Sequence, residues 1–131
     1  MSRRVPLLEM SADPVRVLII DDHESFRSVA RELLERRGFA VVGEADGAAA
    51  GLAAAEQVAP EAVVLDLRLR DGSGFEVCRT LTREDPKRAV LLVSADEPYR
   101  SRVHIESCGA RGFVLKSRLA SADLRALLGA V

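Results

Sequence analysis

Aromatic residues are scarce in this chain, with four Phe, one Tyr and no Trp among 131 residues. That scarcity argues against a base-stacking surface for single-stranded nucleic acid. No strong excess of either charge exists: 19 basic against 20 acidic residues give a formal net charge of −1, without the basic excess of a nucleic-acid footprint. No apolar run approaches the ~18 residues of a membrane span. The first ten residues carry two arginines, but their apolar part is too short and interrupted for a signal peptide. The expected location is therefore cytoplasmic, with no membrane partner and no nucleic acid bound by this domain itself. Cysteine is limited to Cys78 and Cys108, with no Cys or His at metal-ligand spacing, so both are expected to be free, partly buried thiols. There is no GxGxxG, no P-loop and no Ser/His/Asp or Cys/His pattern. Lysine is the rarest cation: only Lys87 and Lys116 stand among the 19 basic residues, leaving 17 arginines.

What is present is a set of short apolar runs that end on reactive side chains. Val15–Ile20 stops at Asp21-Asp22, Ala62–Leu65 at Asp66, Ala89–Val93 at Ser94, and Gly112–Leu115 at Lys116. Such Val/Ile/Leu-rich runs, separated by helical patterns, read as buried parallel strands. The carboxyl ends of parallel strands share one edge of an open α/β sheet, where ligands bind. Three acids, a hydroxyl and an ammonium, spread over positions 21 to 116, are therefore expected to form one site.

The intervening segments support this order. Phe26, Val29, Ala30, Leu33 and Leu34 follow a helical stripe, with Gly38 suited to the position after the helix. Phe39–Ala45 reads as the second strand. Asp46 is the expected cap of an alanine-rich helix that stops at Pro60. Leu67–Gly74 reads as a loop, Gly74 as the opening of a third helix, and Pro98 as the first turn of a thin fourth helix. Ser121 is the expected cap of the last helix. Residues 1–14 form a lead-in and 15–131 one α/β domain of five βα units: a doubly wound five-stranded parallel sheet with five helices.

The chemistry follows from the residue types. Asp21 and Asp22 have a bland reading as helix caps. One acid satisfies that need, however, and a second beside it calls for a cation. With Asp66 the set suits Mg²⁺, which takes a few carboxylates and a phosphate oxygen. Asp66 is the expected nucleophile, becoming an aspartyl phosphate. Lys116, in a chain whose default cation is arginine, suggests a compact point charge rather than a planar fork. Ser94 offers a hydroxyl to a phosphoryl oxygen, and His23 reads as a solvated side chain at a helix start.

These motifs resemble those of response-regulator receiver domains in two-component signalling. Leu18-Ile19-Ile20-Asp21-Asp22-His23 is similar to the acidic-pair strand, and Val63–Gly74 to the phosphoacceptor segment. Gly109–Lys116 resembles the final motif as it occurs in receivers attached to LuxR-type DNA-binding domains. The spacings, 44 residues from Asp22 to Asp66, 28 on to Ser94 and 22 on to Lys116, suit the family. The resemblance covers residues 15–128 and implies a flavodoxin-like strand order of 2-1-3-4-5. It further implies phosphorylation of Asp66 by a histidine kinase or phosphotransfer protein, with Mg²⁺ held by Asp21, Asp22, Asp66 and the backbone carbonyl of Arg68. Lys116 and Ser94 would bind the phosphoryl group, and Ser94 and Phe113 would form the switch that changes the interaction surface. The domain would assist its own phosphorylation and dephosphorylation without being an enzyme in the usual sense.

Departures from the family pattern are Phe113 in place of the commoner tyrosine, Arg70 where many relatives have proline, and Ser117 where proline often follows the lysine. An Arg68–Asp96 pair beside the site is a further expectation, as a brake on hydrolysis. Two rivals are weighed against this reading. A Mg²⁺-dependent phosphatase would want an acid at Arg68, and a constitutive scaffold would not need the intact acids, Ser94 and Lys116. Homodimerisation on phosphorylation is left open, as is the choice between a stand-alone receiver and part of a longer regulator. The resemblance of residues 109–116 favours the second.

Overall fold

The computed structural model describes residues 13–96 and 101–129. Five strands, β1 (Arg16–Ile20), β2 (Ala40–Ala45), β3 (Ala62–Asp66), β4 (Ala89–Ser94) and β5 (Gly112–Leu115), form one parallel sheet in the order β2-β1-β3-β4-β5. Helices α1 (Glu24–Arg36), α2 (Ala48–Val58), α3 (Gly74–Glu84), α4 (Ser101–Ser107) and α5 (Leu124–Leu128) cover it. The doubly wound, flavodoxin-like order 2-1-3-4-5 is thus the order observed. None of the helices is long and apolar enough to cross a membrane among the described residues.

The period of two in the strands builds two cores. Leu18, Ile20, Val63, Leu65, Val90 and Leu92 point to one face, where they pack with Ala55 of α2, Val77 and Leu81 of α3, and Cys108. Val17, Ile19, Val64, Leu91 and Val93 point to the other, against Ala30 and Leu34 of α1 and Leu124 and Leu128 of α5. Strands β1, β3 and β4 are almost fully buried, which is why their sequence is continuously apolar rather than alternating. Cys78 and Cys108 are both free and buried, behaving as small apolar residues.

Several local expectations are refined. Gly38 takes a φ of +91° immediately after α1 and its cap residue Arg37, as its place in the sequence suggests. Asp46, by contrast, does not cap α2. The cap position is Gly47, and the carboxylate comes from Asp71, which accepts from the main-chain N–H of Ala48 (2.7 Å) and Ala49 (3.2 Å). A residue 23 positions away, brought close by the fold, takes the role that the neighbouring residue was expected to fill. Ser121 likewise lies in a 3₁₀ turn (Lys116–Ser121), its hydroxyl donating to the Arg118 carbonyl, while Asp123 caps α5 through Ala126 N–H. The loop after Asp66 contains a two-residue ladder, Arg68–Leu69 against Gly72–Ser73. Ser73 caps α3 by accepting from Phe75 N–H. Pro98 lies outside the described residues. Helix α4 presents the thin apolar face expected of it: Val103 is 72% exposed, and Ile105 packs against the core from the side.

Candidate functional site

Going along the chain, β2 is added on one side of β1 and β3 on the other, so the winding reverses between β1 and β3. The crevice at such a switch point is where α/β sheets bind ligands. Asp21 and Asp22 leave β1 there, and Asp66 ends β3. The turn after β1 is held by Asp21 N–H donating to Ala45 O (3.0 Å) and by the Arg27 guanidinium donating to Asp21 O (2.7 Å). The turn after β3 is held by Leu67 N–H donating to Val93 O at 2.8 Å. Gly74 allows α3 to begin directly beneath: a Cβ there would stand 2.5 Å from the Asp66 carbonyl oxygen and 2.7 Å from Leu67 Cα.

Asp21, Asp22, His23 and Asp66 offer ligand atoms all within 4.8 Å of one another. Lys116, just beyond β5, reaches into this group. Its Nζ lies 2.7 Å from Asp21 Oδ2 and 3.4 Å from Asp66 Oδ2, and 4.6 Å above the Phe26 ring, which supports the ammonium from below. Ser94, at the end of β4, is 3% exposed and accepts from Asp96 N–H at 3.4 Å. In the sheet Asp66 pairs with Val93, so Ser94 stands one residue beyond the acid on the neighbouring strand. Phe113, two residues before the end of β5, is half-buried against the core face shared by α2, α3 and α4.

Charge is poorly balanced in the crevice. Asp21 is fully buried and Asp66 is 3% exposed. Asp66 Oδ1 accepts from Arg68 N–H at 3.1 Å, yet burial pushes its carboxyl above the usual range, and the Asp21 charge adds to that rise. The Arg68 N–H and Lys116 pull the other way without cancelling it. Two buried carboxylate oxygens, Asp21 Oδ2 and Asp22 Oδ1, accept no hydrogen bond among the described residues. For Asp21 Oδ2 the Lys116 contact is one of charge, not of aligned donor and acceptor. Orphaned, buried, hard oxygen ligands of this kind fit a small divalent cation that prefers carboxylates and keeps its own water.

Neither acid of the pair caps α1. His23 holds the cap position without a side-chain bond, and its N–H donates to Asp21 Oδ1 at 2.8 Å. His23 is solvent-facing as expected, its side chain 60% exposed, but its Nδ1 also sits 3.2 Å from an oxygen of each acid. Among the described residues, no ion pair joins Arg68 to Asp96, and the arginine side chain that meets the acids is that of Arg70, whose Nε lies 3.3 Å from Asp22 Oδ2. The basic loop is visible in the sequence; which of its arginines bends back to the acids depends on the turn. A surface cavity of about 540 Å³, lined by Val15, Glu61 and Leu128 among others, opens at the opposite edge and contains none of these acids.

Known proteins share this sequence pattern and fold. Residues 17–128 match the family described as response regulator receiver domain. The DNA-binding transcriptional activator DevR/DosR of Mycobacterium tuberculosis is 35% identical over 103 residues, covering 78% of this chain and 48% of that protein. The chain spans about half the length of the curated relatives it matches, 49% and 48% for the first two. Among solved structures, a LuxR-family two-component response regulator from Aurantimonas sp. SI85-9A1 superposes with a TM-score of 0.78 at 30% identity, covering 86% of this chain and 81% of that one. A response regulator from Burkholderia pseudomallei, solved with a phosphorylated aspartic acid, calcium ion and citrate, gives 0.77 at 28% identity, covering 86% and 66%. A match of that extent points to one family, and this chain belongs to it: the response regulator receiver domains of two-component signalling.

Proposed function

We propose that the chain is a phosphoacceptor whose Asp66 takes a phosphoryl group from the phosphohistidine of a histidine kinase or phosphotransfer protein. The observation that carries this reading is a buried Asp66 carboxylate beside an acidic pair with orphaned oxygens, and 3.4 Å from the Lys116 ammonium. An Asp66 oxygen attacks phosphorus, the P–N bond to the donor imidazole breaks, and the bonding pair leaves with the imidazole. Asp21, Asp22, Asp66 and the Arg68 backbone carbonyl are the residues that would hold Mg²⁺. When bound, the ion supplies positive charge for the oxygens of the transferring group. Lys116 passes from the carboxylate to a phosphoryl oxygen, and the Ser94 hydroxyl donates to another. As Ser94 moves toward the phosphoryl group, Phe113 packs inward, and the face made by α4, β5 and α5 changes.

The domain acts as a signalling switch. The name of the Mycobacterium relative, which includes DNA binding, supports a transcriptional output passed to another domain. The position two residues after Asp66 is Arg68, where a phosphatase using an Asp nucleophile would want an acid.

Incubation with Mg²⁺ and acetyl phosphate, followed by intact mass measurement, should give one phosphoryl adduct that is lost in Asp66→Asn and in EDTA. No adduct in the parent protein would defeat the reading. An adduct persisting in Asp66→Asn would move the phosphoacceptor elsewhere, and steady turnover of many phosphate esters would favour a phosphatase.

A further inference from the structure

We propose that Arg70 is a tethered counter-cation of the acidic pocket, occupying Asp22 until a divalent cation displaces it and so setting the pocket's cation affinity. The inference rests on the reading of Asp21, Asp22 and Asp66 as a divalent-cation site.

The charges of the crevice divide unevenly. Lys116 contacts Asp21 and Asp66, but among the described residues no lysine reaches Asp22. Asp22 is 6% exposed at its side chain, and its Oδ2 is met by the Arg70 guanidinium at 3.3 Å. Among the described residues its Oδ1 faces the His23 ring, at 3.2 Å, and accepts no hydrogen bond. Arg70 itself is 81% exposed, so the cation sits at the mouth of the pocket with its other donors in water.

The backbone beneath Arg70 is anchored while the side chain is not. Arg68 and Leu69 pair with Ser73 and Gly72, and Asp71 bonds to the first two N–H groups of α2. Arg70 stands between these anchors, so its Cα is kept next to the crevice and only its side chain needs to swing. Arg70, seated at Oδ2, and an incoming divalent cation compete for the negative charge of the same Asp22 carboxylate. An exposed ion pair is weak, so the competition tunes affinity rather than blocking the site. Removing it should tighten divalent binding about twofold to fivefold, the range a surface pair can supply.

Calorimetric titration of Mg²⁺ into the full chain at low ionic strength tests this. Arg70→Gln is expected to bind about twofold to fivefold more tightly than the parent, and Arg70→Lys to stay closer to the parent because the charge remains. Added salt should narrow the gap, since an exposed charge is screened. In EDTA, Arg70→Gln is expected to melt no higher than the parent, having lost the pair without any ion to replace it. Equal or weaker Mg²⁺ binding in Arg70→Gln would overturn the proposal, as would a higher melting point in EDTA. Equal tightening in Arg36→Gln, a charge change in the last turn of α1, would reduce the effect to net charge and overturn it too. If neither parent nor variant binds Mg²⁺, the metal reading fails and takes this one with it. Binding without a difference defeats only the role of Arg70.

Discussion

Asp66 combines burial with a like charge nearby, and both raise its folded titration above the ordinary carboxylate range. The sign follows directly. A carboxyl with a raised folded value helps the fold below its unfolded range, and that help is lost as pH rises through the folded value. At neutral pH the ionised side chain therefore weighs against folding. Asp66→Asn should melt higher than the parent in EDTA at neutral pH, by an amount on the order of 1 kcal/mol, and the gap should close in acid. A melting point equal to or below the parent at neutral pH would contradict this. The cost is tolerable because Lys116 and the Arg68 N–H offset part of it. His23 and Phe26 belong to the same scale. The sequence placed both correctly on α1 and at its start, but gave no sign that one would flank the acids and the other lie beneath Lys116.

At the level of elements, the first turn of α2 depends on the loop that follows Asp66. Asp71 is exposed, and its bonds to Ala48 and Ala49 N–H hold its carboxyl below the usual range. A depressed folded value means stability that is present above the unfolded range and lost as pH falls. Asp71→Ala should therefore lower the melting temperature by a few degrees at neutral pH, and the two proteins should converge in acid through and below the ordinary carboxylate range. Asp46→Ala, which removes the cap suggested by adjacency, should leave the melting temperature unchanged. The opposite ranking would show that the neighbouring residue caps the helix after all. The same bonds couple α2 to the turn that positions Arg70, so local order in one element serves the chemistry of the next.

Across the whole molecule, the edge opposite the acids is tied together by a buried arginine. Arg88, 8% exposed, donates from Nε to Pro60 O (3.0 Å) and from a terminal nitrogen to Leu81 O (3.2 Å), with Glu84 at 3.7 Å. It joins the entry to β3, the last turn of α3 and the start of β4. Arg88→Met keeps most of the stem's volume but leaves the buried Pro60 carbonyl without this donor. The expected loss is about 2 kcal/mol, read as a lower urea midpoint with an unchanged slope. A change below about 0.5 kcal/mol, the range of an ordinary surface substitution, would refute the role. Because this tie lies at the other end of the strands, the phosphorylation proposed for Asp66 should be preserved in the variant under stabilising conditions.

The sequence by itself determined the strands, their order of appearance and the edge at which their reactive ends meet. It could do so because burial on both faces writes an unmistakable apolar run and parallel strands share a polarity. The convergence of Asp21, Asp22, Asp66, Ser94 and Lys116 was legible for the same reason: each stands at the end of a strand or within two residues of it. What only the tertiary structure decided are the contacts between segments with no periodicity: Asp71 capping α2, Asp123 rather than Ser121 capping α5, and Arg70 rather than an Arg68–Asp96 pair engaging the charges. A loop carries no repeating pattern that reports its direction. Where its side chains go is set by the turn geometry and by the unmet polar groups of whatever the fold packs beside it.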